Sequence, residues 1–591
     1  MGISGLTATL QPYGVSGVFT DQHVVIDGPA LAYTILSICR SNGISQPSYD
    51  LLGRSVIQWL DTLALQVEQI DAIYFDAYLP IGKRDVRMDR SAKLFIQLMQ
   101  FCNNSPKGCD IKNLCGTAED NLDLFTTKQP STHKQLVPPS FLVPAIIDAL
   151  DQCPRYRHLV SLVPGEADAF CAQHLATHGG IVLTSDSDLL VHDLGQGRVV
   201  FFRDIHASAT DTWKCIVYDS KRICERLGLK PSGGNICRFG YEVYRDPHAS
   251  ISQLVQNCSS PIPDEAEYNK FCQQYLQHEL ANLPVTAQGE TVQLRNLDPR
   301  ISELVLQLGN PTEEIPAALS SESRIFLPVL IENPLRGSAW EPCTPIRQLA
   351  YSIYRWLVPG SNSTVHEYRR VQNVGHKGRE VSMFPQKEAI ELLQSLLQTL
   401  QRTKDLVDGV DGISCWTLLC MALNIKECQE QEKQSHVLQI LTQSSENAKP
   451  TSKPASNPKI PWDTIHITAH LQASLYSFRI LKQILSLVPY GAWIHLPAEA
   501  RELHEALKPL PGFTDFPSVK RTEELLQQKL ALEILDLLRN FVDIPVRKAK
   551  DKKARMKRKK ENKGNGPPTK RFAAPKVGAG GSIFSLLADE E

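Results

Sequence analysis

The sequence predicts an α/β fold, in which a mostly parallel sheet with flanking helices is followed by a mainly helical region and a disordered basic tail. In residues 1–250, short apolar runs rich in Val, Ile, Tyr and Phe alternate with segments whose apolar residues recur at helical spacing. This order is typical of a parallel sheet covered by helices. Beyond residue 260 helical spacing dominates, and the last residues are strongly basic.

Four apolar runs are predicted to be buried strands. They are HVVID (23–27), AIYFD (72–76), IVLTSD (181–186) and RVVFF (198–202). Between the first two runs, ALAYTILSICR and LLGRSVIQWLDTLALQV have the apolar periodicity of helices. Parallel pairing is expected because parallel strands need a long crossover, usually a helix, between them.

The remaining chain is divided by its composition. Helical patterns occur at EAIELLQSLLQTLQR (388–402), AHLQASLYSFRILKQILSLV (469–488) and RTEELLQQKLALEILDLLRNFV (521–542). A stretch rich in Pro, Ser and Lys at 445–461 is predicted to be a linker. We therefore expect a first domain at 1–260, a helical region at 261–545 and a disordered tail at 546–591.

The tail carries a charge opposite to that of the rest of the chain. Residues 546–591 contain 14 lysines and arginines against 5 acids, whereas the other 545 residues contain 49 against 59. The run RKAKDKKARMKRKK (547–560), with KR at 570–571, predicts nuclear import, a non-specific DNA tether, or both. The alternative is a charge run that only keeps the protein soluble. The final SIFSLLADEE is predicted to dock on a protein partner.

Cysteine usage and hydropathy exclude several classes of protein. The 15 cysteines include no CxxC pair, which favours reduced thiols over disulfides. No apolar run approaches the ~20 residues of a membrane span, and MGISGL lacks a signal-peptide core. We expect a soluble intracellular protein without a membrane partner.

Acidic residues follow three of the predicted strands. Asp27 and Asp76 end the first two, and Asp186 and Asp188 close the third. Because the carboxyl ends of parallel strands line one edge of a sheet, these acids should meet in one crevice. An isolated DSD is usually a turn or a helix cap, so the prediction depends on the whole set.

Two further acids stand at the start of a predicted helix. Glu166 and Asp168 follow Pro164-Gly165 in VPGEADAF, where both can flank one opening. Six carboxylates in one crevice repel one another unless cations lie between them. Mg²⁺ and Mn²⁺ prefer oxygen ligands, and two such ions stabilise phosphoryl displacement. The sequence therefore predicts a site for two Mg²⁺ or Mn²⁺ ions.

A basic helix is predicted just after Asp76. Lys83, Arg84, Arg87 and Arg90 recur at helical spacings and should form a basic face beside the acids. The alternative is an ordinary solvated helix face.

Five motifs, taken in order, resemble the flap-endonuclease/XPG superfamily of PIN-like nucleases. They are MGISGL, VVIDGPALAY, YFDAYLPIGKRDVRMDR, VPGEADAFCA and LTSDSDLLV. Within this superfamily the chain is most similar to the Asteroid branch, in its SDSDLLV motif, its divergent second half and its basic tail. The resemblance covers residues 1–205 and fades beyond. It implies a PIN-like, Rossmann-like fold.

The resemblance also implies roles for individual residues. Lys83 and Arg90 would meet the scissile phosphate, and Gly2 would let the N-terminal backbone lie close to DNA. The metal ligands would be Asp27, Asp76, Glu166, Asp168, Asp186 and Asp188.

The chain departs from the family pattern at two places. Ala77 replaces the glycine that usually follows the second aspartate. The stretch at 235–255 lacks the later hairpin of the helix-two-turn-helix that grips duplex DNA. Glu242 falls where the family has a further aspartate and is a candidate seventh ligand. Single strands, overhangs or flaps are therefore the expected substrates.

The leading hypothesis is a metal-dependent, structure-specific DNA nuclease in the nucleus, acting in DNA repair on single-stranded or branched DNA, with RNA as an open alternative. The second is a catalytically weak or inactive module that binds nucleic acid or protein. A phosphatase-like hydrolase is a third class, but it explains neither the N-terminal MGI nor the basic helix.

Overall fold

The protein folds around a seven-stranded sheet whose middle strands are parallel. The computed structural model describes residues 3–80, 83–110, 114, 122–126, 136–207, 211–229, 236–276, 283–286, 289–294, 297–309, 323–358, 363–371, 374–408, 410, 412–446 and 459–544. The strands, in chain order, are Val15–Val18 (β1), His23–Asp27 (β2), Gln69–Asp76 (β3), Cys109–Asp110 (β4), Val160–Val163 (β5), Ile181–Thr184 (β6), Arg198–His206 (β7), Lys214–Tyr218 (β8), Ser323–Phe326 (β9), Thr364–Val371 (β10), Val374–Ser382 (β11) and Lys459–Ile460 (β12).

The α-helices alternate with these strands in the first half of the chain and dominate the second half. They are Leu6–Leu10, Gly28–Ser41, Tyr49–Ala64, Arg84–Asn104, Leu142–Gln152, Ala167–His178, Ser220–Leu227, Ile236–Arg245, Ile251–Cys258, Glu265–Tyr275, Pro299–Gly309, Thr344–Leu357, Gln386–Val407, Cys415–Glu430, His436–Glu446, Trp462–Ser486, Ala498–Leu507, Val519–Leu525 and Gln528–Leu538. No helix in this described part is long and apolar enough to cross a bilayer.

The sheet has the strand order β1-β8-β7-β6-β2-β3-β5. The pairs from β7 to β5 are all parallel, and β8 and β1 add antiparallel strands at one edge. The four predicted strands correspond to β2, β3, β6 and β7. The predicted fold class, an α/β protein with a mostly parallel sheet, is therefore confirmed.

Burial of β2 shows that both faces of the sheet are covered. Val24, Val25 and Ile26 are all buried, although successive residues of a strand point to opposite faces. Helices Gly28–Ser41 and Ala167–His178 both pack on β2 and β3. This packing places the carboxyl ends of the central strands in a fixed position between helices.

The second half of the chain is mainly helical, as expected, but it also contains a small sheet that was not predicted. Its strands have the order β11-β10-β9. The helical pattern at 521–542 is two helices rather than one, because the backbone is extended at Gln527 between them. A fully buried ion pair, Arg347 with Glu367 at 2.6 Å, joins helix Thr344–Leu357 to β10.

The two halves of the chain pack on each other, and Met1–Val542 form one compact unit. Phe141 stacks on Tyr476 with ring centroids 4.7 Å apart. The indole of Trp462 donates to the Ser105 carbonyl at 2.8 Å, and β12 pairs with β4 beside it. This compact unit therefore spans the expected boundary at residue 260.

Asp543–Glu591 form a second unit. The predicted tail at 546–591 lies outside the described residues, as do Gly2 and most of the predicted linker at 445–461.

Candidate metal centre

Three aspartates lie at the carboxyl ends of neighbouring parallel strands. Asp27 ends β2, Asp76 ends β3, and Asp186 lies two residues after the end of β6. Since β6, β2 and β3 are adjacent in the sheet, its topology delivers these acids to one edge.

Thr184, which was not among the predicted site residues, holds two of these acids in place. Its hydroxyl donates to Asp27 Oδ2 at 2.7 Å and accepts from the Asp186 amide at 2.9 Å. Asp27 Oδ1 accepts from the Ala30 amide at 3.1 Å, so this carboxylate also caps helix Gly28–Ser41. Asp27 therefore has a structural role in addition to its predicted role as a ligand.

Glu166 and Asp168 lie at the start of helix Ala167–His178, immediately before it and in its first turn. Asp76 Oδ1 accepts from the Ala167 amide at 2.7 Å, which ties the end of β3 to this helix. The N-terminal end of a helix favours negative charge, so the fold partly offsets the repulsion among the acids.

Asp188 is held by the N-terminal segment of the chain. The amide of Ile3 donates to Asp188 Oδ1 at 2.7 Å, and the Asp188 amide donates to Asp186 Oδ1 at 3.2 Å. The backbone at Ile3 therefore lies beside the carboxylates. The spacing of residues in the sequence did not reveal this contact.

The aspartates share one poorly solvated environment. Burial raises the pKa of Asp27 and of Asp188 to about 7, and that of Asp76 to about 6, and neighbouring carboxylates add to each shift. Burial also raises the pKa of Asp168 well above its usual value, with additional contributions from the other four aspartates of the cluster. Five of the predicted ligands are thus close enough to affect one another's protonation.

Asp168 shows that these residues fit a bound cation. Its Oδ1 atom is buried and has no hydrogen-bond partner. A buried oxygen of this kind is costly unless a ligand satisfies it, and an oxygen-only donor set suits Mg²⁺ or Mn²⁺. The carboxylates therefore have the donor chemistry of a divalent-metal site.

Lys83 is the cation that lies against this cluster. Its ammonium group is 2.7 Å from both carboxylate oxygens of Glu166. Burial acts to lower the pKa of Lys83, but Glu166, Asp188 and Asp168 outweigh that effect and the pKa is raised. Lys83 is therefore positively charged and already holds one of the predicted ligands.

The three arginines of the predicted basic face lie in three different environments. Arg84 is only 6% exposed, and burial together with Arg324 lowers its pKa. Arg87 forms an ion pair with the buried Glu303, whereas Arg90 is exposed. Arg84 therefore does not present its charge at the surface, because elements from the second half of the chain cover it.

Glu242 lies in a different charge network from the six acids. It is buried and pairs with Arg238 at 2.6 Å and with Arg245 at 3.6 Å. It also accepts from Asn257 Nδ2 at 3.2 Å. A carboxylate held by two arginines does not need a metal ion, so its placement does not support a seventh ligand.

Comparisons with known proteins found one family model and one relative that are similar to this chain. A family model described as "XPG domain containing" matches residues 138–383. The chain is also 21% identical over 449 residues to "Asteroid homolog 1" of Schizosaccharomyces pombe, which covers 71% of this chain and 72% of that protein. The chain is therefore similar to XPG-like proteins of the Asteroid type.

The matched segment of this XPG-like chain includes four of the six acids and extends through β11. It also includes helix Pro299–Gly309, which contacts the site from the second half of the chain. Ser302 Oγ donates to the Ala77 carbonyl at 3.1 Å, directly after Asp76. Residues beyond 260 therefore help to build the site, although no predicted site residue lies there.

Aromatic rings that were not among the predicted site residues also lie near the carboxylate cluster. Burial raises the pKa of Tyr275 to about 12, and Asp188 and Asp186 contribute to the shift. The ring of Tyr244, which is 41% exposed, lies 6.0 Å from that of Tyr275. The only available signal for them was their position on helices that follow the acids.

Proposed function

We propose that this XPG-like chain is a divalent-metal-dependent, structure-specific DNA nuclease that hydrolyses phosphodiesters in single strands, overhangs or flaps. The observation that carries the proposal is the carboxylate cluster around the unpaired Asp168 Oδ1, with Lys83 beside it. Similarity to XPG-like proteins supports the same reaction class. Such a donor set has no His or Cys and suits two Mg²⁺ or Mn²⁺ ions.

The chain's own residues divide the work of the reaction. Two divalent ions, when bound, would supply electrostatic stabilisation of the charge that builds up on the phosphate. The six acids would hold these ions, and Glu166 would release Lys83 when it does so. The released Lys83 and the exposed Arg90 would then face the phosphate and stabilise its developing charge.

A cavity next to the acids supports a single-stranded substrate. It is lined by Asp76, Tyr33 and Arg90, and its volume is about 290 Å³. Tyr33 is half exposed, so its ring is available for a base to stack on, and Arg90 can pair with the backbone. Stacking of this kind requires unpaired bases.

We further propose that the protein acts in the nucleus, in DNA repair. The basic run at 547–560, with KR at 570–571, has the composition of an import signal. The same charges would hold DNA through counterion release, so both roles are compatible.

A cleavage assay on labelled single-strand, overhang, flap and duplex substrates tests the activity. We expect Mg²⁺ or Mn²⁺ to be required, and Asp186→Ala to lower the rate at least ~100-fold, since it removes an acid from the cluster. Glu502→Ala, which removes an exposed acid in helix Ala498–Leu507, is the matched control. Binding of these substrates without cleavage under any metal condition would instead favour the inactive binding module.

A further inference from the structure

Three histidines cluster in the second half of the chain, in elements that supply none of the six acids. His466 and His470 are one turn apart on helix Trp462–Ser486, and His436 begins helix His436–Glu446. Each offers a ring nitrogen, and these three atoms all lie within 4.8 Å of one another. Two histidines at this helical spacing, with a third from another element, are a common arrangement of metal ligands.

All three rings are largely buried and neutral. The side chain of His436 is 9% exposed, and His466 and His470 are buried. Burial lowers the pKa of all three, to about 3 for His470 and well below the usual value for His466. A neutral imidazole is the form that binds a metal ion, so no proton has to be displaced at neutral pH.

The hydrogen bonds of two rings leave a nitrogen for a metal ion. His436 Nε2 lies 3.1 Å from Asp463 Oδ1, while its Nδ1 atom is buried without a hydrogen-bond partner. His470 Nδ1 lies 3.3 Å from the Ala339 carbonyl, which leaves Nε2. Histidines that bind metals usually donate their second nitrogen to a carboxylate or a carbonyl in this way.

The third ring has a carboxylate next to it. His466 Nδ1 is buried without a hydrogen bond and lies 3.8 Å from Glu332 Oε2. Glu332 also accepts from the Ala339 amide at 2.6 Å, which fixes its position. Glu332 therefore provides negative charge beside the three ring nitrogens, which are the candidate metal ligands.

Two arginines near the cluster are each held by an acid. Arg336 lies 2.9 Å from Asp463, and Arg370 lies 2.7 Å from Glu332. Both arginines contribute to lowering the pKa of His466 and His470, so they also oppose a bound cation. Because each arginine is paired with a carboxylate, the net charge of these four groups is zero.

We propose that His436, His466 and His470 bind one zinc ion, and that the ion fastens helix His436–Glu446 to helix Trp462–Ser486. Nitrogen donors select zinc over Mg²⁺, which prefers oxygen. The site shares no residue with the carboxylate cluster, so the zinc proposal can be tested independently of the proposed nuclease activity.

Metal analysis of the full-length protein tests this proposal. We expect about one zinc ion per chain after gel filtration, and a tetrahedral Co²⁺ absorption spectrum when the metal-free protein is titrated with Co²⁺. His466→Ala and the milder His436→Gln should each weaken binding at least tenfold. His504→Gln, which changes a histidine stacked on Trp493, should leave it unchanged.

Asp186→Ala separates the two metal sites. It should keep the zinc content and the Co²⁺ spectrum, since the acids bind a different ion. Loss of zinc in Asp186→Ala together with its retention in both histidine variants would overturn the proposal. A folded wild-type protein that binds no zinc would also overturn it, because the three rings would then only pack on one another. If His466→Ala does not fold, the Co²⁺ titration of wild type and His436→Gln still decides.

Discussion

Lys83 lies 2.7 Å from both carboxylate oxygens of Glu166, so the cation expected to meet the phosphate neutralises an expected metal ligand. The same ammonium group therefore competes with metal ions for Glu166. Metal binding and release of Lys83 should be coupled, because Glu166 cannot be fully used by both.

Lys83→Met should separate these two effects. We expect tighter Mn²⁺ binding, since a positive charge next to the acids is removed, and turnover lower by at least ~10-fold, since the phosphate loses its cation. Calorimetric Mn²⁺ titration and cleavage rates at saturating metal measure the two quantities. Lys93→Met, an exposed lysine on the same helix, is the control. Weaker Mn²⁺ binding in Lys83→Met would contradict the competition.

The buried aspartates predict a pH-dependent stability in metal-free buffer. Burial, and then Asp186, raise the pKa of Asp188 from 3.8 to about 7. The folded protein thus binds a proton at Asp188 more tightly than the unfolded chain does. The stability that this bound proton contributes is lost as pH rises through about 7. We expect Asp188→Asn, in EDTA, to unfold at a higher temperature than wild type at pH 8.

The advantage of Asp188→Asn should shrink towards pH 5, where the wild-type carboxyl is protonated. Mn²⁺ should reverse the order of the two proteins at pH 8, since the variant has lost a ligand. Thermal unfolding at pH 5, 6, 7 and 8 measures the difference. Asp193→Asn changes an exposed acid and serves as the reference. A stability difference that is constant across this range would exclude a raised pKa at Asp188.

Replacing Arg90 should affect turnover, whereas replacing Arg87 should affect the stability of the fold. Arg90→Ala should lower turnover without changing the unfolding temperature, because Arg90 is exposed. Arg87→Ala should cost about 1–3 kcal/mol of stability, because it leaves the buried Glu303 without its cation. The double variant Arg87→Ala/Glu303→Gln should recover part of that loss. Equal stability of Arg87→Ala and wild type would show that the ion pair contributes little.

Truncation after Pro545 should separate the tail from the cluster. We expect loss of nuclear accumulation and weaker DNA binding at low salt, since 14 basic residues are removed. Metal-dependent cleavage at saturating protein should remain. Imaging of a fluorescent fusion and binding across a salt series measure the first two effects. A truncated protein that still enters the nucleus and binds DNA normally would make the tail only a solubilising segment.

The positions of the acids could be predicted because two simple rules fix them. Strand periodicity identified β2, β3 and β6, and parallel topology brings their carboxyl ends to one edge. Thr184 could not be found in the same way, because a threonine at a strand end is ordinary. Its role depends on the approach of Asp27 and Asp186 from different segments.

The basic helix shows where local spacing fails. Spacing places Arg84 and Arg87 on faces of a helix, but it does not say what covers each face. Arg324 and Glu303, which surround them, come from elements more than 200 residues further along the chain. The histidine cluster has the same limit, since spacing connects His466 with His470 but not with His436.

The hydrogen bond between Trp462 and Ser105 joins residues 357 positions apart. At ordinary rates of translation, about 5–20 residues per second, the ribosome needs roughly 20–70 s to add that length of chain. During this time β4 lacks its partner β12, and Phe141 lacks the ring of Tyr476. The nascent first half should therefore expose an unpaired strand edge and apolar surface, and chaperones that bind such surfaces should associate with it until the second half emerges.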